Sequence, residues 1–370
     1  MILFIQKYRF KVLRCVLLKL GLVGLYMLSF SSCKEAAEEK GNSNTPQITS
    51  AKTYKNIGSI ERISPELDAI VPSDATIEVL GEGMTWAEGP LWIPEKKWVL
   101  CSDVKENRIH VWSEEDGFKI FLEPSGFTGQ VTDSRERGSN GLVLDAQGKL
   151  VLCQHGNRQV ARMKAPLENP KADFEVVANQ YQGLRFNSPN DLVFDSKGNL
   201  YFTDPPFGLS EALMEDPKKE IPYQGIYRLD TEGKISLLTD KVSRPNGLAF
   251  SPDEKLLYVA NTDGENAAWY AFEVKEDGSL GAMNEILNVT HLIGKEVGFP
   301  DGIKVDQNGN IFTAGPGGLW IFNANHQLIG KIKPGEWVSN CAFDKNYNTL
   351  FITADDYLLR VKLDTNKRKV

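Results

Sequence analysis

The sequence predicts an all-β protein, a six-bladed β-propeller, and three observations support this fold class. Residues 187–208 contain an Asn-Asp pair, a run of strand-forming residues, a D-x-x-G turn and a second strand-forming run, which together predict a β-hairpin. The same pattern occurs six times along the chain, at intervals of about 50 residues. Such an interval can hold the four strands of one propeller blade. A long β-sandwich or a solenoid is the alternative architecture.

Each repeat begins with a polar residue next to the start of its first strand. The intervals between these residues are about 52, 50, 56, 55 and 39 residues. A single hairpin cannot bury both of its faces, so repeats of this kind must stack side by side in a ring. In the third repeat the turn is formed by residues 195–198, where Gly198 is free to adopt a positive φ. The six polar positions are Glu88, Asn140, Asn190, Asn246, Asp301 and Asn340.

Residues 1–32 resemble the signal segment of a bacterial lipoprotein. Five Lys and Arg side chains and no acidic ones accompany an apolar run at residues 20–30, which is too short to span a bilayer. Ser31 and Ser32 lead directly to Cys33, as in a lipobox. We therefore expect lipidation of Cys33 to anchor the protein to a membrane surface of the cell envelope, in the periplasm or at the outer-membrane surface. An ordinary secretory signal or an uncleaved anchor is the alternative.

The segment after the leader predicts a flexible tether at residues 33–57, because it is polar and has too few apolar residues to form a core. The folded domain then spans residues 58–370. Removal of the leader changes the net charge from −7 to about −12. An acidic chain without a basic run is a poor candidate for nucleic-acid binding. We expect a monomer that contacts the membrane through its N-terminal lipid only.

The two ends of the domain are predicted to complete the ring. Residues 76–80 form a short strand pattern that can pair beside residues 357–363, and this pairing would remove an open sheet edge. The longest departure from the regular spacing is the insertion at residues 204–225, which is rich in proline and charge. Insertions of this kind project from one face of a propeller and shape its binding site.

The sequence argues against several classes of catalytic site. It contains no H-E-x-x-H, G-x-S-x-G or P-loop motif, and its four histidines are too few for a multi-histidine centre to be expected. Three cysteines remain after the leader and Cys33, and each falls singly in a strand-forming run without C-x-x-C spacing. This is typical of small buried hydrophobic residues. A bridge between Cys101 and Cys153 is the alternative.

The six polar residues converge near one mouth of the central channel if the repeats are related by rotation. Oxygens of Glu, Asp and Asn suit a hard divalent cation, Ca²⁺ first, with Mg²⁺, Mn²⁺ or Zn²⁺ as alternatives. The two carboxylates, Glu88 and Asp301, would offset its charge. For each Asn, a purely structural turn is the alternative, but such a turn has no need of a glutamate at position 88.

The motifs around these positions resemble the gluconolactonase/regucalcin (luciferin-regenerating) family, in particular its bacterial gluconolactonase branch. They are EGPLW, NSPNDLVFDSKGNLYFTDPPFGL, RPNGLAFSPDEKLLYVANT and FPDGIKVDQNGNIFTAGPGGLWIF, and the resemblance covers nearly all of the chain after about Ser59. It implies a six-bladed propeller that hydrolyses a sugar lactone with one divalent cation. The cation ligands that it implies are Glu88, Asn246 and Asp301, and Asn190 would be a further ligand or a substrate contact.

The resemblance also implies a mechanism. The cation would act as a Lewis acid on the lactone carbonyl, and Asp301 would be both a ligand and the general base or nucleophile. Regucalcin-like members carry an arginine two residues before the Asn equivalent to Asn190, where this chain has Ser188. The candidate substrate contacts are Asn190, His155, Arg185 and Asp204.

These observations together predict a metal-dependent lactonase of the gluconolactonase type whose partner is a small sugar lactone. Two alternatives remain open. One is a metal-dependent esterase or phosphotriesterase that uses the same ligands with a different leaving group. The other is a non-catalytic propeller that binds a partner or a carbohydrate on its face.

Overall fold

The computed structural model describes residues 52–364, which form 28 β-strands and three short 3-10 helices. Six antiparallel sheets of four or five strands follow one another along the chain. They are the blades of a β-propeller, which confirms the predicted all-β fold and the number of blades. None of the helices in this range has the length and apolar character needed to cross a bilayer. The signal segment, Cys33 and the tether as far as residue 51 lie outside the described residues.

The strands are numbered in chain order. Three short strands precede the first complete blade: β1 (Asn56–Ile57), β2 (Ser59–Arg62) and β3 (Ile77–Gly81). Blades 1 and 2 contain β4 (Ala87–Ile93), β5 (Trp98–Asp103), β6 (Arg108–Ser113), β7 (Gly117–Leu122), β8 (Ser139–Leu144), β9 (Leu150–Gln154), β10 (Gln159–Met163) and β11 (Phe174–Ala178). A two-stranded ribbon and blade 3 follow as β12 (Gln180–Tyr181), β13 (Leu184–Arg185), β14 (Leu192–Phe194), β15 (Leu200–Asp204), β16 (Gly225–Leu229) and β17 (Ile235–Thr239).

The second half of the ring has the same organisation. Blade 4 contains β18 (Pro245–Phe250), β19 (Leu256–Asn261), β20 (Ala268–Val274) and β21 (Leu280–Asn288). Blades 5 and 6 contain β22 (Ile303–Val305), β23 (Ile311–Gly315), β24 (Gly318–Phe322), β25 (Leu328–Lys333), β26 (Val338–Phe343), β27 (Thr349–Ala354) and β28 (Tyr357–Lys362). The 3-10 helices are Pro65–Ala69, Leu213–Glu215 and Thr290–Leu292.

The D-x-x-G turns form because an acidic side chain holds the backbone that follows it. In blade 3, Asp195 Oδ1 accepts hydrogen bonds from the backbone N–H groups of Lys197 (3.0 Å) and Asn199 (2.8 Å). Gly198 donates its N–H to the carbonyl of Asp195 and adopts a φ of +87°, as predicted. Equivalent contacts occur in blades 2 and 5, so one local interaction sets the register of several hairpins.

The apolar core lies between the blades. Within the described residues, six clusters of buried apolar side chains each join two neighbouring blades. In the cluster between blades 6 and 1, Phe351 and Leu358 pack against Val99 and Cys101, and all four are at most 2% exposed. Packing therefore closes the ring between the last blade and the first.

N-terminal strands complete the last blade, as the sequence predicted. β3 pairs antiparallel with β28, and β1 pairs with the outer side of β3. β1 begins at Asn56, two residues before the predicted start of the domain. β2 pairs with β25 at the edge of blade 5, a pairing that the sequence did not predict. One N-terminal segment thus covers the outer edges of two neighbouring blades.

The three cysteines of the described range are free thiols. Cys101, Cys153 and Cys341 are each fully buried in the apolar clusters. The prediction that they act as small hydrophobic residues is confirmed, and the alternative bridge between Cys101 and Cys153 does not form.

The innermost strands approach each other so closely that some positions in them must be glycine. A Cβ atom on Gly89 would lie 2.1 Å from the carbonyl oxygen of Asn140 in the next blade. A Cβ atom on Gly302 would lie 2.0 Å from Cγ of Asn340. Gly89 also has a φ of +50°, a conformation that other residues adopt only with strain. These glycines therefore allow the close contact between blades at the positions next to Glu88 and Asp301.

Replacement of Gly89 tests this contact. Gly89→Ala should destabilise the fold more than Gly148→Ala, because Gly148 has a similar φ of +72° but open space around it. The control should lose roughly 1 kcal/mol from backbone strain alone, and Gly89→Ala should lose about 1–3 kcal/mol more from the steric overlap. Urea unfolding, monitored by tryptophan fluorescence, measures the free energy of unfolding of both variants. Equal losses in the two variants would contradict the close-approach interpretation.

Candidate active site

The six polar residues predicted from the repeat lie at corresponding places in the six blades. Each stands within three residues of the start of its blade's innermost strand, and each is at most 5% exposed. Backbone hydrogen bonds join neighbouring positions, such as Gly141 N–H to the carbonyl of Asn190 (2.8 Å) and Gly302 N–H to the carbonyl of Ser339 (2.7 Å). We call these residues the polar ring: Glu88, Asn140, Asn190, Asn246, Asp301 and Asn340.

Small hydroxyl side chains connect one blade to the next beside the polar ring. Ser102 Oγ donates to the carbonyl of Asn140 (2.8 Å), and Thr203 Oγ1 donates to the carbonyl of Asn246 (2.8 Å). Two further bonds of this kind run from Thr262 to Pro300 (2.5 Å) and from Ser339 to Ala87 (2.6 Å). These bonds fix the backbone of the ring, so its side chains have defined positions before any ligand binds.

Two members of the polar ring are buried carboxylates, Glu88 and Asp301. Burial raises the pKa of Glu88, and the charges of Asp191 and Glu136 raise it further. Burial also raises the pKa of Asp301 well above its usual range, and the charge of Glu88 is the next largest cause. Four carboxylates therefore interact around the ring, where buried negative charge is unfavourable unless it is compensated. A cation at the ring would relieve this repulsion.

The free oxygens of the ring fit a hard divalent cation. Asp301 Oδ1, Asn190 Oδ1 and Asn140 Oδ1 are buried and have no hydrogen-bond partner within residues 52–364. Buried oxygens without a partner are unfavourable, and a bound cation would satisfy them. Asn246 Nδ2 donates to Thr262 Oγ1 (3.0 Å). This hydrogen bond uses the amide nitrogen, so the amide oxygen is the atom of this side chain that could bind a cation. Such oxygens are the preferred ligands of Ca²⁺ and are also accepted by Mg²⁺ and Mn²⁺.

The predicted ligand set combines two carboxylates, Glu88 and Asp301, with two amides, Asn190 and Asn246. The part of the chain that the structure describes has no group of three or more His, Cys, Asp and Glu side chains arranged to hold a metal ion. A cation held by these four residues would therefore have two carboxylate ligands and two amide ligands.

The structure adds a lysine that the sequence analysis missed. Lys304 Nζ lies 3.5 Å from Asp191 Oδ2 and 3.3 Å from Asn340 Oδ1. Asp191 belongs to blade 3 and Lys304 to blade 5, so this ion pair crosses the channel. Lys304 compensates one of the four carboxylates around the ring. The repeat could not reveal it, because lysine occurs at this place in one copy only.

Asp204, a predicted substrate contact, is fully buried beneath the segment that leads to Asn190. Its Oδ2 accepts the N–H of Asn187 and its Oδ1 accepts the N–H of Ser188, both at 2.8 Å. Burial raises the pKa of Asp204 to about 7. In this structure the side chain therefore positions Asn190 through the backbone. Asp103 in blade 1 makes the same kind of contact with the N–H groups of residues 85 and 86.

Arg185, another predicted substrate contact, lies in a cleft on the side of blades 2 and 3. Its backbone N–H donates to Glu220 Oε2 (2.8 Å), and its guanidinium donates to the carbonyl of Asn157 (3.2 Å). The cleft has a volume of about 1060 Å³ and is also lined by Phe127 and Lys218. Among the described residues, the hydrogen bonds of Arg185 include none to the polar ring.

His155, the remaining predicted contact, lies next to a carboxylate that the sequence analysis did not select. His155 is fully buried, and its Nδ1 lies 3.2 Å from Glu136 Oε2. Glu136 is 8% exposed and contributes to the raised pKa of both ring carboxyls. It lies in the loop between β7 and β8, outside the repeated hairpin, so the periodic pattern gave no signal for it.

Known proteins are similar to this chain over most of its length. Residues 86–356 match the family model described as SMP-30/Gluconolactonase/LRE-like region. A gluconolactonase of Zymomonas mobilis is 38% identical over 334 residues, which cover 87% of this chain and 92% of the relative. A pentonolactonase of Haloferax volcanii is 24% identical over 278 residues, which cover 72% and 80%. The solved structure of a gluconolactonase from Xanthomonas campestris has a TM-score of 0.72 at 31% identity and covers 86% of this chain and 99% of that structure.

The role of Asp204 as a buried support can be tested by its pH dependence. Its pKa is about 7 in the folded protein and about 3.9 in an unfolded chain. The folded state therefore binds the extra proton between these values, and the free energy of unfolding should fall by roughly 3 kcal/mol as pH rises from 4 to 7. Asp204→Asn should remove this component.

Urea unfolding of wild type and variant across this pH range measures the difference in slope. Asp195→Asn, a substitution in a turn, is the control and should keep the wild-type slope. An unchanged slope in Asp204→Asn would show that the carboxyl does not take up this proton on folding.

Proposed function

The chain belongs to the SMP-30/gluconolactonase/LRE-like family and is a lactonase, and we propose that its active site is the polar ring with one bound divalent cation, Ca²⁺ first. The substrate class is a sugar lactone, in keeping with the gluconolactonases of Zymomonas and Xanthomonas that the chain resembles. The observation that carries the proposal is the presence of two buried carboxylates and two unpartnered amide oxygens, those of Asn140 and Asn190, in the polar ring.

The ligands in this proposal are Glu88, Asn190, Asn246 and Asp301. When bound, the cation supplies a Lewis acid that polarises the lactone carbonyl. The two carboxylates give the site a charge that matches a dication, and the amide oxygens add ligands without further charge. The hydroxyl bonds between blades keep these oxygens in place, so little reorganisation is needed during the reaction.

The resemblance also implies that Asp301 is the general base or nucleophile. The two roles of Asp301 oppose each other, because a neighbouring cation lowers the pKa of a carboxyl and makes it a weaker base. We therefore assign Asp301 first to the cation. The hydrolysis consumes one water molecule and converts the cyclic ester into a hydroxy acid.

We place this enzyme at a membrane surface of the bacterial cell envelope. The support is the lipoprotein-like signal segment at residues 1–32, the candidate lipidation site Cys33 directly after it, and the polar character of the predicted tether. A lipid on a tether of some 20 residues would hold the propeller near the membrane while the ring remains open to small solutes. A lipid-anchored propeller needs no partner chain at the membrane, so we propose that the protein is a monomer.

Replacement of Cys33 tests the location. Cys33→Ala should abolish incorporation of radiolabelled palmitate and release the protein into the soluble fraction, because the remaining apolar run is too short to anchor it. Cys15→Ala is the matched control within the leader and should remain lipidated. Membrane association of Cys33→Ala without label would point to an uncleaved anchor.

Substitution of the ring carboxylates tests the function. Glu88→Gln and Asp301→Asn should each lower kcat/KM for glucono-1,5-lactone by about 1,000-fold or more, because each removes a charged cation ligand. Both should also weaken Ca²⁺ binding by more than about 100-fold in isothermal titration calorimetry. Asp195→Asn makes the same chemical change in a turn and should preserve activity and binding.

The assay follows acid release above the spontaneous rate, after chelation and after addition of Ca²⁺, Mg²⁺, Mn²⁺ or Zn²⁺. Activity that survives complete chelation would remove the cation from the proposal. Tight cation binding without turnover of any lactone would move the assignment to another ester, a phosphotriester or a binding role.

A further inference from the structure

We propose that Asn340 and Lys304 are positioning residues of the cation site, which together hold the carboxylate of Glu88 in the orientation that presents one oxygen to the cation. This inference rests on the proposed function and deepens it. It assigns a task to a member of the polar ring outside the four-ligand set, and to a lysine that the repeat did not predict.

The hydrogen-bond donors around Glu88 meet on one of its two oxygens. Glu88 Oε2 accepts the backbone N–H of Gly89 (2.9 Å) and a hydrogen bond from Asn340 Nδ2 (3.4 Å). Among the described residues, Oε1 accepts no hydrogen bond. Because two donors meet the same oxygen, they fix the plane of the carboxylate, and Oε1 is the atom of Glu88 that is left for a cation.

The amide of Asn340 can make this contact in one orientation only. Its Oδ1 accepts the N–H of Cys341 (2.8 Å) and a hydrogen bond from Lys304 Nζ (3.3 Å). Rotation of the amide by 180° would turn its NH₂ group towards these two donors and its oxygen towards the carboxylate of Glu88, where neither can form a hydrogen bond. Gly302 packs so closely that a Cβ atom there would lie 2.0 Å from Asn340 Cγ, so the side chain has little room to turn.

Lys304 holds the oxygen end of this amide with a charged donor that is itself fixed. Its Nζ contacts the carbonyl of Ile303 (3.0 Å), Asn340 Oδ1 (3.3 Å) and Asp191 Oδ2 (3.5 Å). These three acceptors match the three protons of an ammonium group. Asp191 is held in turn, because its Oδ1 accepts the N–H of Leu192 (2.9 Å). The ammonium group therefore has a defined position between blade 5 and blade 3.

Hydrogen bonds thus run from Lys304 through Asn340 to Glu88, and each is 3.4 Å or shorter. A charged donor makes the bond to the amide oxygen stronger than a neutral donor would. It also polarises the amide, so its N–H groups become better donors to the carboxylate. Loss of either inner link should therefore disturb the orientation of Glu88, although neither Lys304 nor Asn340 is a ligand in the proposed site.

The first test is Asn340→Leu, which removes both polar ends of the amide while the size of the side chain stays similar and the net charge stays the same. Ca²⁺ binding, measured by calorimetry, should weaken by about 10- to 100-fold, because partners that orient a metal ligand contribute this much to affinity. At saturating Ca²⁺, kcat for glucono-1,5-lactone should return to within about tenfold of wild type, because the ligand itself is retained.

A double-mutant cycle shows whether Asn340 acts through Glu88. In a Glu88→Ala background, Asn340→Leu should change the Kd for Ca²⁺ by less than about threefold, because the carboxylate that it orients is gone. In an Asn246→Ala background, which removes a different proposed ligand, Asn340→Leu should keep its full effect. The same loss in both backgrounds would overturn the inference, because Asn340 would then act on the site as a whole.

The role of Lys304 is tested by removal of its ion pair at constant net charge, with Lys304→Met and Asp191→Asn in one chain. The inference predicts that Ca²⁺ binds about tenfold more weakly and that this loss disappears in the Glu88→Ala background. A lysine that only compensates charge predicts an unchanged Kd. Because this variant retains Asn340, it tests the inference even where Asn340→Leu does not fold.

A second ion pair of the chain provides the matched control. Arg162 and Asp145 in blade 2 have side chains that are 29% and 6% exposed, and those of Lys304 and Asp191 are 30% and 4% exposed. Arg162→Met with Asp145→Asn makes the same change of charge away from the polar ring and should keep the wild-type Kd for Ca²⁺ and the wild-type kcat.

The outcomes separate this inference from the proposed function. Wild-type turnover and Ca²⁺ binding, with an unchanged Kd in Asn340→Leu and in the variant without the Lys304 ion pair, would overturn the inference and leave the lactonase site intact. A weaker Kd in Asn340→Leu alone would overturn the role of Lys304. A wild-type enzyme that neither binds Ca²⁺ nor hydrolyses lactones would overturn the proposed function, and this inference with it.

Discussion

The close approach of the innermost strands is the constraint on which the rest of the structure depends. Gly89 and Gly302 allow one blade to touch the ring residue of the next, and hydroxyl groups such as those of Ser102 and Thr203 form hydrogen bonds between neighbouring blades. These contacts link neighbouring blades at the centre of the propeller. The same contacts bring six polar side chains together in a region from which water is largely excluded.

This arrangement concentrates negative charge, and the protein compensates it in different ways. Burial and the charges of neighbouring carboxylates raise the pKa of Glu88 and Asp301, so negative charge on these two side chains is unfavourable unless it is compensated. Lys304 provides a fixed positive charge for Asp191. The proposed divalent cation would do the same for the ring carboxyls. Strain of this kind is common at functional sites and is maintained by the packing around them.

The repeat explains why the sequence predicted so much of this. A rotation relates the six hairpins, so one pattern located the blades, the turn at Gly198 and all six ring positions. The need to close the ring identified the N-terminal partner of β28. Contacts without a period were not predictable. Glu136 lies in a loop and Lys304 occurs in one copy, and both matter because of neighbours that are distant in sequence. Asp204 shows a further limit, because its residue type did not reveal that its two oxygens hold backbone N–H groups.

Function requires that the ring depart from the symmetry that built it. Glu88 and Asp301 lie in blades 1 and 5, on either side of Asn340 in blade 6. Asn340 is already engaged, because its Nδ2 approaches Glu88 Oε2 (3.4 Å) and its Oδ1 accepts the N–H of Cys341 (2.8 Å). The unpartnered oxygens lie instead on Asp301, Asn190 and Asn140. Six equivalent positions therefore do not make six equivalent ligands: the carboxylates lie in blades 1 and 5, the free amide oxygens lie in blades 2 and 3, and the amide in blade 6 holds the scaffold.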